Sequence, residues 1–112
     1  MEIQTRSADN VKILEFTGRF DTYTADTARQ WLEQAMTDNP ANVVVNLEKV
    51  DFVDSTALAT LVHSLKRCRE LNGDLRLCQL QQSVRMVFEL TRLDRFFEIF
   101  AQEDEAIQAF AH

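Results

Sequence analysis

Val43-Val44-Val45-Asn46-Leu47 carries apolar side chains on consecutive positions. Successive side chains of a strand point to opposite faces, so such a run predicts a strand buried on both faces of a sheet, near its centre. Immediately beyond it lies Val50-Asp51-Phe52-Val53-Asp54-Ser55-Thr56-Ala57-Leu58, an acidic, hydroxyl-bearing turn, after which the apolar period changes. Leu58, Leu61, Val62, Leu65 and Cys68 recur at helical spacing, and Asn72-Gly73 supplies the stop. This is the longest helix the sequence predicts.

The same alternation extends in both directions. Val11 to Thr17 is rich in β-branched and aromatic residues and reads as a strand ending at Gly18, with Met1 to Thr5 as an edge strand paired to it. From Thr24, a plausible N-cap, the residues Ala28, Trp31, Leu32, Ala35 and Met36 trace one face of a helix that Asn39-Pro40 terminates. Downstream, Leu75 to Leu80 reads as a strand and Ser83 to Thr91 as a helix packed through Val84, Val87 and Phe88. Phe96 to Phe100 then reads as a strand and Asp104 to Phe110 as a last helix. Strands alternating with helices imply crossovers, hence an α/β fold: a small, mixed, mostly parallel sheet with helices packed on it. The expected organisation is one domain over 1–112.

The chain has 112 residues, one Pro, two Gly and no low-complexity stretch, which leaves no candidate linker. Its net charge of −6 opposes phosphate-backbone attraction, so nucleic-acid binding is not expected. Lys66, Arg67 and Arg69, and the acidic run Glu103 to Glu105, read as solvated faces. No apolar run approaches the ~18–20 residues of a membrane span, so no membrane insertion and a cytoplasmic setting are expected. Cys68 and Cys78 read as reduced, packed residues. Phe96 and Phe110 read as core.

Several chemistries fail on spacing. No phosphate-cradling glycine loop occurs, and no Cys or His pair has metal-site spacing, so no cofactor and no metal are expected. Ser55 lies at a strand-to-helix junction, but Val53 and Ala57 flank it where a hydrolase elbow needs glycines. His63 lies roughly 12 Å further along the helix axis, too far to act as its base. Asp21, Asp51 and Asp54 invite comparison with receiver domains, yet the first strand brings no acidic pair and no lysine follows Lys66. The turn itself admits two readings. Asp54 or Ser55 serves as an N-cap, worth roughly 1 kcal/mol with no further role. A helix N-terminus with free N–H groups also suits a phosphate carried on Ser55.

Around this turn the sequence resembles a STAS domain, the fold of the bacterial anti-sigma-factor antagonists. The residues that carry the likeness are Gly18-Arg19-Phe20-Asp21, Val43 to Leu47, Phe52-Val53-Asp54-Ser55, Asn72-Gly73 and Val84 to Thr91, which together cover almost the whole chain. The resemblance implies a non-enzymatic module in which Ser55 is phosphorylated by a serine kinase that doubles as the anti-sigma factor. It further implies that the unmodified form binds that kinase and that a PP2C-type phosphatase resets the phosphorylated form. Asp21, Asp54, Ser55, Thr56 and Ala57 match positions at or beside the phosphorylated serine and are the expected partner-binding residues. Asp21 admits a second role as a cap on the turn before Thr24, and Thr56 offers a second hydroxyl. Many family members carry Gly where this chain has Ala57. The competing reading is a constitutive STAS scaffold, for example a lipid-transporter subunit, that binds its partner without phosphorylation.

Overall fold

The computed structural model describes residues 1–110. Five strands form one sheet in the spatial order β1-β2-β3-β4-β5: β1 Glu2–Ala8, β2 Val11–Phe20, β3 Asn42–Val53, β4 Asp74–Cys78 and β5 Ile99–Phe100. β1 and β2 are antiparallel, and the remaining pairs are parallel, as crossover connections require. The helices are α1 Ala25–Ala35, α2 Ser55–Glu70, α3 Gln82–Leu90 and α4 Glu103–Gln108. This is the mixed, mostly parallel α/β architecture expected from the pattern, with β3 in the middle and Val43, Val44 and Val45 all fully buried.

The two sheet faces are covered unequally. Leu14, Phe16, Val43, Val45, Leu75 and Leu77 pack on the side of α1 and α2, joined by Leu32, Leu61, Leu65 and Phe88. On the opposite face Val11, Ile13, Val44 and Cys78 are covered by α4 through Ala106 and Ile107, and by Phe110 just beyond it. Cys68 and Cys78 therefore belong to different cores, both unpaired, and burial pushes each thiol up to about 12.

Several boundaries depart from the sequence pattern. β2 does not stop at Gly18 but runs to Phe20, because Gly18 (φ +108°) sits where the pairing with β3 shifts register, the role glycine takes in a bulge. β3 likewise continues through Val50 and Val53, so residues 50–53 are strand rather than turn. Trp31 lies outside the core at 37% exposure, although Ala28, Leu32, Ala35 and Met36 are buried. The stretch from Phe96 to Phe100 is mostly irregular: a 3₁₀ turn at Leu93–Arg95 leads into a two-residue strand. Phe97 meets Phe88 edge-on while Phe96 is 53% exposed, and Phe110 is half-buried beneath the guanidinium of Arg76. Glu103 is not a solvated charge. It pairs with Arg6 and accepts from Asn46 Nδ2 at 2.9 Å, fastening α4 to the sheet.

α2 ends in a Schellman motif, with Gly73 N–H donating to Cys68 O at 2.9 Å and Asn72 N–H to Arg69 O at 3.1 Å. The left-handed residue is Asn72 (φ +63°), not the glycine. Gly73 is required for another reason: a Cβ there would lie 1.9 Å from the backbone oxygen of Ala41. A Gly73→Ala substitution is expected to cost ~2–3 kcal/mol by overpacking against backbone. Gly18→Ala, which meets no neighbour and only strains φ, is expected to cost about 1 kcal/mol. Urea denaturation of the two variants checks the order.

Candidate functional site

β3 delivers the chain to Asp54, whose extended backbone (φ −116°, ψ −176°) places its carboxylate over the first turn of α2. Of the two N-cap candidates, Asp54 is the one that caps: Oδ1 accepts the Ala57 N–H at 2.9 Å. Its other oxygen reaches across to the loop between β2 and α1. There Oδ2 accepts the Thr22 N–H at 2.9 Å and the Thr22 hydroxyl at 3.1 Å. The Asp54 N–H in turn donates to Phe20 O at 3.4 Å. These donors, the Ala57 N–H first and then Thr22, hold the Asp54 carboxyl below its ordinary 3.8 despite partial burial.

Thr22 had no distinguishing signal in the sequence, since a hydroxyl in a polar loop is unremarkable until the fold places it against a carboxylate 32 residues away. Its oxygen also lies 3.1 Å from Thr56 Oγ1. The Thr22 hydroxyl has one proton, and that proton points to Asp54, so Thr56 is the donor in this contact. The Thr56 hydroxyl is thereby engaged. Ser55, by contrast, is exposed, and its hydroxyl makes no hydrogen bond among the described residues.

Asp21 takes the capping role left open by the sequence. Its Oδ1 accepts the N–H groups of Tyr23 at 3.0 Å and Thr24 at 3.3 Å, and its Oδ2 lies 3.4 Å from Arg19 Nε. Thr24 is not a side-chain cap of α1. Its hydroxyl turns back to accept the Asp21 N–H and donate to Arg19 O, both at 2.9 Å. Arg19 stacks over Phe52 at 3.9 Å from the ring centroid. Ala57, grouped above with the contact residues, is fully buried and its N–H is committed to Asp54; it belongs to the core beneath the site. The expected residues thus separate. Asp54, Ser55 and Thr56 stand together, Asp21 shapes the neighbouring loop, and Ala57 lies underneath.

The surface around Ser55 is open rather than enclosed. A shallow groove of about 460 Å³ runs along α2 from Ser55 past Leu58, Ala59, Val62 and Lys66 to Leu93. Tyr23, on the pinned loop, is 94% exposed. His63 lines the groove but faces solvent from the same helix. No group of three metal-ligating side chains occurs among the described residues. No helix there is long and apolar enough to cross a membrane.

The chain matches the STAS domain family model over residues 2–106. The chain belongs to the STAS domain family. It is 30% identical over 105 residues to an anti-sigma-B factor antagonist of Listeria monocytogenes, covering 94% of this chain and 91% of that one. Among solved structures, an anti-sigma-factor antagonist (STAS) domain protein from Planctomyces limnophilus superimposes with a TM-score of 0.90 at 24% identity, covering 98% of each chain. The anti-sigma factor antagonist SpoIIAA in its unphosphorylated form gives a TM-score of 0.81 at 20% identity, covering 97% of this chain and 96% of that one.

The carboxylate of Asp54 contributes stability above the ordinary aspartate pKa, which is lost as pH falls through its lowered value. Asp54→Asn is therefore expected to flatten part of the acid limb of a stability–pH profile measured by thermal unfolding. Asp54→Ala, which removes the cap and the Thr22 acceptor, is expected to cost ~1–2 kcal/mol at neutral pH. Thr22→Val, which leaves the Thr22 N–H in place, should cost about 1 kcal/mol.

Proposed function

We propose that this chain is an anti-sigma-factor antagonist, a regulatory module rather than an enzyme, acting in the cytoplasm and switched by phosphorylation of Ser55. The observation that carries the reading is the Ser55 hydroxyl. Among the described residues it is exposed and unbonded at the first turn of the longest helix, beside a carboxylate locked in place by three donors. The likeness to the Listeria antagonist along nearly the full length of both chains supports the same reading.

The partner is a serine kinase that is also the anti-sigma factor, and the nucleotide belongs to it. In its complex the γ-phosphoryl group of the kinase's ATP passes to Ser55 Oγ, ADP leaves, and the hydroxyl proton is taken up by a base of the kinase. A PP2C-type phosphatase hydrolyses the phosphoserine and returns the protein to its binding form. Ser55 is favoured over Thr56 as acceptor because the Thr56 proton is already given to Thr22. Asp54, Ser55 and Thr56 form the contact patch, with Asp21 holding the adjoining loop.

Switching is electrostatic. The unmodified serine presents a neutral hydroxyl that a partner can cover at little desolvation cost. Phosphate adds about −1.5 to −2 charges beside the ionised Asp54, on a chain already at −6. Burying that group against the same partner surface carries a desolvation and repulsion penalty, and a loss of ~1.4 kcal/mol lowers affinity tenfold.

Intact-mass analysis of the protein recovered from its own cells, followed by peptide mapping, tests this reading. A phosphate increment on Ser55, absent from a Ser55→Ala variant, is the expected result. Absence of the increment under all growth conditions, with a partner that binds Ser55→Ala and Ser55→Asp equally, would instead favour the constitutive scaffold.

A further inference from the structure

β1 is the outer strand of the sheet, and its seven residues are unpaired along one side, whereas the opposite edge is only the two-residue β5. The two-residue turn Asp9-Asn10, both at positive φ, makes the flanking Ala8–Val11 pair a hydrogen-bonded one. Alternation along the ladder then turns the N–H and C=O groups of Gln4 and Arg6 toward β2, and those of Ile3, Thr5 and Ser7 outward. A long edge of this kind is a template for another strand unless its side chains oppose pairing.

We infer that β1 is a self-association edge, pairing antiparallel with β1 of a second copy of this chain about a two-fold axis at Gln4. The side chains select that register. With Gln4 opposite Gln4, Ile3 faces Thr5 of the second copy and the outward groups of these residues exchange main-chain hydrogen bonds in both directions. On the back face, Glu2 then lies directly opposite Arg6 of the second copy, and Arg6 opposite Glu2, so the symmetry forms the ion pair twice. A two-residue slip either way loses both pairs, and parallel in-register pairing would stack Glu2 on Glu2. Glu2 is exposed. Arg6 is 54% exposed at its side chain and uses Nη2 on Glu103, leaving the rest of its guanidinium for a second carboxylate.

The front face gives an independent reason. Trp31, 37% exposed although it sits on a core-facing helix, borders a groove of about 200 Å³ with Thr5, Ser7 and Leu14. Ile3 of the second copy, set opposite Thr5 on that face, brings an apolar side chain to this groove and to the indole. Ser55 opens α2 just beyond β3, which is two strands in from this edge, so self-pairing uses none of the residues assigned to phosphorylation and stands or falls apart from that reading.

Sedimentation equilibrium of the full chain from low to high micromolar concentration is the test, with a reversible monomer–dimer equilibrium expected. Thr5→Pro removes an outward N–H but no bond to β2, so it should weaken dimerisation at least tenfold while leaving the far-ultraviolet circular dichroism unchanged. Glu2→Lys should weaken it as well. On the unaltered chain, amide exchange should slow with concentration at Ile3 and Thr5, and be independent of concentration at Gln4 and Arg6. A monomer at every concentration would overturn the inference. So would a dimer indifferent to Thr5→Pro, or amides at Ile3 and Thr5 that ignore concentration.

Discussion

The carboxylate of Asp54 is the point on which the site depends. One oxygen closes the first turn of α2 through Ala57, and the other holds the β2–α1 loop through both donors of Thr22. A single side chain therefore joins two segments that the chain connects only by way of α1 and β3. Because both oxygens are occupied by fixed donors, the carboxylate cannot swing toward its neighbour. Ser55 is left with a free hydroxyl facing solvent on a rigid base, beside a permanent negative charge. Hydrogen bonds to an ionised acceptor are stronger than neutral ones, which is why this arrangement can be both exposed and fixed.

β3 makes that arrangement possible. Its first half is buried on both faces and sets the sheet; its second half, pairing with β2 alone, runs beyond the end of β4 to bring Asp54 alongside Phe20. The bulged pairing around Gly18 lets β2 follow it that far. On the back of the sheet, Asn46 is buried and satisfied by Glu103 and Gln79, so the short helix α4 is held by polar contacts as well as by Ala106 and Ile107. A buried amide without those partners would carry an unmet desolvation cost.

As a member of the STAS family, the chain combines a firmly hydrogen-bonded base with an open groove that begins at Ser55. Among the described residues, the polar groups nearest Ser55 are already committed. Asp54 is saturated by donors, Thr56 is engaged, and His63 lies further along the helix. Such a surface suits being acted on and covered by another protein. In the proposed switch the signal is the charge state of the Ser55 hydroxyl.

Ser55 as phosphate acceptor is implied by the family resemblance; the sequence pattern alone determined the order of strands and helices, the central position of the valine-rich strand, the antiparallel start and the polar opening of α2 at Asp54-Ser55. These rest on side-chain periodicity and on short-range capping chemistry, both of which are local. Only the tertiary structure decided the rest. Thr22 became part of the site through a contact 32 residues away, Ala57, expected among the partner-binding residues, is buried in the core, and Asp21 turned toward its own loop. Trp31 and Phe96 fit helical and strand patterns yet lie outside the core, while Glu103, in an acidic run that reads as solvated, clamps a helix to the sheet. Periodicity reports which face of an element is apolar, but what covers each face, and which carboxylate finds a buried donor, depends on elements packed from elsewhere in the chain.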